Sequence, residues 1–270
     1  MDVLKRHRVS VSGTGARPLV FVHGFGCDQH MWRLVAPAFE AEYRVVLLDL
    51  VGAGGSDLAA YDPARYSTLS AHAEDVREVL RALDLHDVVF VGHSVSAMIG
   101  VLAAVQEPAR FARLVLVAPS PRYLNASGYT GGFEPADIAE LLEAMDTNYL
   151  GWSAAFAPVV MAHPDQPELA AGLANSFCRT DPAIARHFAG VTFLGDNRAD
   201  LRHVRTPALI LQSAQDLLAP LAVGTYLHHE LAGSQLVVLD TSGHCPHVSA
   251  PAATIAAIRA YLQAARSLPA

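Results

Sequence analysis

Five short stretches of this chain are nearly unbroken runs of apolar residues: 18–22 (PLVFV), 44–50 (RVVLLDL), 88–91 (VVFV), 111–118 (FARLVLVA) and 207–211 (PALIL). A strand with one face in water alternates polar and apolar residues, whereas an unbroken run is buried on both faces. Such runs belong in a parallel sheet covered by helices. The connecting segments agree: 67–83 carries Leu69, Ala73, Val76, Val79, Leu80 and Leu83 at helical spacing, after Ser67 or Thr68 as a cap. Strands alternating with helices are the sequence form of repeated βαβ units. A further strand at 235–239 and a helix at 250–265 close the chain. Residues 3–12 alternate and predict a solvent-facing strand, and 29–42 predict a helix despite Pro37.

The alternation breaks once. Between 119 and 206, helix-like segments at 135–145, 149–162, 168–178 and 182–189 follow one another with no strand. The expected architecture is an α/β core of residues 1–118 and 207–270, with residues 119–206 inserted as a helical cap. Aromatic residues are concentrated in the insertion. Rings at helical spacing fill helix–helix cores, but a cap over the carboxyl edge of the sheet also presents an apolar pocket and excludes water. Phe25, Phe133, Trp152, Phe156 and Phe193 are the expected ligand contacts.

The run at 88–91 leads directly into Gly92-His93-Ser94-Val95-Ser96 and then a small, apolar, helix-compatible stretch. Strand, tight turn and helix with Ser at the apex is the layout of a nucleophile elbow. The usual pattern is G-x-S-x-G, and Ser96 stands where the second Gly is expected. By itself the string is only a turn; chain order adds the weight. A Ser hydroxyl needs a base to take its proton, and the base needs a carboxylate to orient it. In doubly wound hydrolases these arrive as Ser, acid, His, each in a loop after a strand. Here the 207–211 strand leads to Asp216, and the 235–239 strand leads through Gly243 to His244. Ser94, Asp216 and His244 all fall beyond the carboxyl ends of strands, where open α/β sheets place their sites. His23-Gly24-Phe25-Gly26, after the first buried run, predicts an oxyanion hole made by the backbone N–H groups of Phe25 and Val95.

Other polar residues read as structural. Asp49, His23 and His93 are expected to brace loops, Cys245 and His247 to pack near His244, and His228 and His229 to lie exposed on a helix. Gly52-Ala53-Gly54-Gly55 lacks the spacing of a phosphate loop. No Cys/His cluster has metal-ligand spacing, so no metal and no cofactor are expected. A net charge of -7 without a long basic run argues against nucleic acid. No stretch reaches about 18 uninterrupted apolar residues, so no membrane span is expected. Three scattered cysteines and the absence of a signal-like start point to a cytoplasmic protein.

The stretches HGFGCDQ (23–29), LDLVG (48–52), GHSVS (92–96), PRYL (121–124), NYLGW (148–152), FCRTDP (177–182) and GHCPH (243–247) resemble the α/β-hydrolase-fold proteins of the RsbQ type. These are bacterial stress-signalling hydrolases, and plant karrikin and strigolactone receptors are more distantly similar. The resemblance extends over nearly the whole chain, and this family carries Ser at the position of Ser96. It implies an α/β-hydrolase fold, a mostly parallel doubly wound sheet with an inserted four-helix, V-shaped cap over a deep apolar pocket. It also implies a Ser94–His244–Asp216 triad that slowly hydrolyses a small apolar ester- or butenolide-like ligand. For the RsbQ type it implies a PAS-domain phosphatase as signalling partner; no matched motif here encodes that surface. A ligand-sensing module with little turnover, or a perhydrolase or carbon–carbon hydrolase of the same fold, remains open.

Overall fold

The apolar runs lie side by side in one seven-stranded sheet, seen in a computed structural model that describes residues 2–264. The strands are β1 (Ser10–Ser12), β2 (Arg17–Val22), β3 (Tyr43–Leu48), β4 (Val88–His93), β5 (Phe111–Val117), β6 (Ala208–Gln215) and β7 (Gln235–Ser242). Their order is β1-β3-β2-β4-β5-β6-β7, and only β1, antiparallel to β3, departs from the parallel direction. In the middle, Val91 sits opposite Phe21 on one side and Val115 on the other. Every residue of β4 is buried. Its side chains alternate between two apolar layers. Val88 and Phe90 pack with α2 (Leu69–Ala82), α3 (Val95–Gln106) and α9 (Leu221–Glu230). Val89 and Val91 pack with Trp32, Phe39 and α11 (Pro251–Ala264).

Two local expectations give way to turns. Residues 3–12 form one turn of helix, α1 (Val3–Arg6), and only the short β1. The Asp2 carboxylate accepts from the Leu4 N–H and starts that turn, and the buried His7 bonds to the Asp49 carbonyl. Residues 29–42 form two 3-10 turns, Gln29–Trp32 and Ala36–Phe39; the Asp28 carboxylate caps the first and Pro37 opens the second. The last helix follows the one-turn α10 (Pro246–Ser249) and begins at Pro251; Ala265, its expected end, lies outside the described residues.

Between β5 and β6 lie α4 (Pro135–Thr147), α5 (Tyr149–Met161), α6 (Pro167–Cys178), α7 (Pro182–Leu194) and the short α8 (Arg198–Leu201). α5 packs on α6, and α4 packs on both α5 and α7, around Ile138, Trp152, Phe177 and Phe193. α7 continues past the expected residue 189, which brings Thr192 and Phe193 onto the helix. This layer is clamped to the sheet edge at Gly26. The Ser176 hydroxyl donates to the Gly26 carbonyl at 2.9 Å, and Gly26 has φ +69° with the Phe177 ring where a Cβ would be. Among the described residues no helix is long and apolar enough to cross a membrane.

Candidate active site

Ser94 is the one residue between β4 and α3, and it holds φ 55° and ψ −121°. That conformation costs a residue with a side chain about 1–3 kcal/mol, so the surroundings must enforce it. The Ser94 N–H donates to the Val117 carbonyl at the end of β5, at 2.8 Å. Gly92 lets α3 fold back over the strand, because a Cβ there would lie 2.4 Å from the Ser96 carbonyl oxygen. Ser96 serves as a fastener, since its hydroxyl donates to the His23 carbonyl and ties the 23–26 loop to the first turn of α3.

The three residues expected from chain order meet by hydrogen bonds. Ser94 Oγ is 2.7 Å from His244 Nε2, and His244 Nδ1 is 2.8 Å from Asp216 Oδ2. A carboxylate only accepts, so the imidazole proton resides on Nδ1 and leaves the Nε2 lone pair for the Ser94 proton. Asp216 Oδ1 accepts from the N–H groups of Leu218 and Ala219 at 2.9 and 3.1 Å, which locks the carboxylate plane. The His244 and Asp216 side chains are 3% and 0% exposed, so these bonds act in a medium of low dielectric.

The His244 loop is placed by the cap. The His244 N–H donates to the Val160 carbonyl at 2.8 Å, and Gly243 has φ +83° with the Met161 carbonyl oxygen 2.0 Å from where a Cβ would be. Gly243→Ala is therefore expected to displace His244. Ester kcat/KM should drop about 10²-fold, the scale of a misplacement of about 1 Å, with far-UV circular dichroism retained.

Neighbouring histidines hold the frame. His93 Nε2–H donates to the His244 carbonyl at 2.9 Å, and the His93 ring lies 4.4 Å from His247, which lies 4.4 Å from Trp32. Burial pushes the pKa of His93 well below its ordinary value and that of His247 down to about 3, so both rings are neutral. His23 Nδ1–H donates to the Gly24 carbonyl and its Nε2 accepts from Leu50 N–H. Asp49 accepts from the N–H groups of Gln29 and Gly55, both at 2.8 Å. Asp49 and His23 thus brace loops, and His228 and His229 are exposed on α9.

The Gly24–Phe25 loop lies against Ser94: a Cβ on Gly24 would be 3.2 Å from Ser94 Cβ. Among the described residues neither the Phe25 N–H nor the Val95 N–H has a hydrogen-bond partner, and Val95 opens α3, where no intrahelical acceptor exists. A cavity opens at Ser94 and His244, walled by Phe25, Phe156, Phe177, Phe193, Cys27 and Cys245. Its volume is only about 20 Å³. That is room for about one water. A ligand of several atoms needs the rings to part.

Phe25, Phe156 and Phe193 line this cavity; Phe133 and Trp152, expected beside them, do not. Trp152 is screened by Phe25, Phe156 and Phe177, whose ring centres are 6.3, 5.2 and 5.1 Å from its own. Phe133 is half-buried beside Leu124, with its ring centre 6.5 Å from that of Phe193. Tyr123 takes a place that sequence reasoning missed. Its hydroxyl is 3.1 Å from Ser94 Oγ. Burial raises the Tyr123 pKa, so the phenol keeps its proton and donates it to Ser94 Oγ, whose own proton faces His244. No periodicity marks Tyr123, because it sits in an irregular stretch between β5 and α4.

A family model described as "Alpha/beta hydrolase family" matches residues 19–258. The chain belongs to the alpha/beta hydrolase family. A karrikin insensitive 2 receptor of Petunia hybrida is 40% identical over 92% of this chain and 93% of its own length. The strigolactone esterase D14 of Arabidopsis thaliana is 39% identical over 93% and 94%. The solved structure of a hydrolase from Oleispira antarctica superposes with a TM-score of 0.95 at 41% identity, covering 97% of this chain and 96% of that one. The sheet and inserted helices are those of the α/β-hydrolase fold, and the chain is an esterase-like hydrolase.

Proposed function

We propose that Ser94, His244 and Asp216 hydrolyse a small, largely apolar ester or butenolide-like lactone through an acyl-enzyme. The observation that carries this reading is Ser94 Oγ at 2.7 Å from the unprotonated Nε2 of His244, on a strained turn. His244 takes the Ser94 proton as Oγ bonds to the carbonyl carbon. The carbonyl oxygen becomes an oxyanion facing the N–H groups of Phe25 and Val95, a donor set in which one member is worth about 3 kcal/mol. Asp216 stabilises the imidazolium. His244 then returns the proton to the departing alkoxide, and water repeats the sequence to free Ser94. Tyr123 holds the Ser94 hydroxyl in its rotamer. The apolar wall favours an apolar ligand.

A second reading, ligand sensing with slow turnover, is supported by a relative named as a receptor at 40% identity. The narrow cavity supports it too, since occupancy must move the cap rings. In that reading the RsbQ-like output through a PAS-domain phosphatase, or another protein partner, would follow the occupied state. Intact-protein mass spectrometry with small acyl esters and a butenolide separates the two. An adduct on Ser94 that clears within seconds is expected of the hydrolase, and one that persists for many minutes of the sensor. Modification confined to residues other than Ser94 and His244 sinks the triad assignment.

A further inference from the structure

The triad is not the only polar feature of the cavity. Thr192 lines its cap side, on α7 one residue before Phe193. It is 5% exposed, and among the described residues its hydroxyl has no hydrogen-bond partner. A Thr on a helix ordinarily donates to the carbonyl four residues back. Thr225 does so to Leu221, and Thr254 to Ala250, each at 3.1 Å. Thr192 makes no such bond to Phe188, so its hydroxyl bears the cost of leaving water with no return inside the protein. The other cavity-lining side chain with an unpartnered nitrogen or oxygen, His93 at Nδ1, is closed off, since Gly24 packs so near that a Cβ there would lie 2.5 Å away. Tyr123 is already engaged with Ser94.

We infer that Thr192 is a specificity residue whose hydroxyl binds one polar atom of the substrate other than the scissile carbonyl. The inference rests on the hydrolase reading of Ser94, His244 and Asp216, and narrows its substrate class. The ester or lactone carbonyl lies at Ser94 on the sheet side, and a ketone, ring oxygen or hydroxyl lies at Thr192 on the cap side. A hydroxyl both donates and accepts, so it serves either kind of ligand atom. A wholly hydrocarbon ligand would leave it unpaired, and that is the source of discrimination.

Two isosteric pairs test this, one varied in the acyl part and one in the alcohol. They are p-nitrophenyl 4-oxopentanoate against p-nitrophenyl 4-methylpentanoate, and 3-oxobutyl acetate against 3-methylbutyl acetate. In at least one pair the native protein should prefer the ketone by about tenfold in kcat/KM, the scale of one neutral hydrogen bond. Thr192→Val, which keeps the shape, should bring that ratio close to one, and Thr192→Ser should retain most of it. The melting temperature of Thr192→Val should hold or rise, which separates binding from a structural role. Labelling of Ser94 by a fluorophosphonate reports the triad independently. Labelling without a ketone preference in either pair, absence of turnover included, overturns the Thr192 inference alone, as does a preference that Thr192→Val leaves unchanged. Failure of the native protein to label overturns the hydrolase reading beneath it.

Discussion

Ser94→Ala is expected to lower kcat/KM for a small acyl ester by about 10⁴-fold or more while leaving the fold intact. The size follows from how the three side chains act together. Without Oγ, His244 has no proton to take and Asp216 orients an idle base, so removing the nucleophile alone costs nearly as much as removing the triad. What survives is any help from the oxyanion donors to direct attack by water. The fold should tolerate the change. Ala has the same Cβ as Ser, so the strain at φ 55° is unaltered, and the backbone bond from residue 94 to the Val117 carbonyl remains. The hydroxyl loses only its bonds to His244 and Tyr123, both of which face the cavity. Steady-state ester hydrolysis and a thermal melt, run together, check both halves. A variant that melts normally and still turns over at a tenth of the native rate or better would falsify Ser94 as the nucleophile.

Lowering the pH below about 6.5 is expected to destabilise the protein steeply, through three buried histidines other than His244. His72, His93 and His247 are fully buried. Burial lowers the pKa of His72 to about 3 and of His247 to about 3, and carries His93 well below its ordinary value. Among the described residues neither ring nitrogen of His72 or His247 has a hydrogen-bond partner. His72 packs between the tilted rings of Tyr66 and Phe188, and His247 between those of Trp32 and His93. In the unfolded chain each histidine titrates near 6.5. Above that pH both states are neutral and these rings add no pH dependence. Below it the unfolded state binds up to three protons that the folded state refuses, so stability is lost as the pH falls toward the folded pKa values. Each proton contributes about 1.4 kcal/mol per pH unit, about 4 kcal/mol per unit for three, against a total stability of about 5–15 kcal/mol. Urea titrations at pH 7.5, 6.0 and 5.0 should give this slope between the lower two, and His247→Leu should reduce it by about a third. A flat profile between pH 6.0 and 5.0 contradicts the assignment.

How far each residue was legible depends on how far its partners lie along the chain. The strand at 88–91 announces itself because burial on both faces removes alternation, a property of neighbouring residues. Ser94, Asp216 and His244 were legible because each follows its own strand, and parallel strands bring their carboxyl ends to one edge whatever the loops do. The segments at 3–12 and 29–42 misled, since the apolar pattern there is satisfied by contacts that short turns provide as well as a strand or helix would. Asp2, Asp28 and Pro37 decided the matter locally. The pocket was the least legible part. Phe156 and Trp152 lie one helical turn apart on α5, yet only Phe156 lines the cavity.

The sequence by itself determined the sheet, the insertion and the order of Ser94, Asp216 and His244, because periodicity and chain order are carried by residues close along the chain. Tertiary structure alone decided that the Tyr123 hydroxyl reaches Ser94, that Ser96 fastens the Phe25 loop, and that Thr192 lines the cavity with no partner. Each of these is a contact, or the lack of one, between elements far apart in sequence, set by how the helical layer settles on the sheet. Side-chain direction at such contacts comes from packing, which no local pattern of residues encodes.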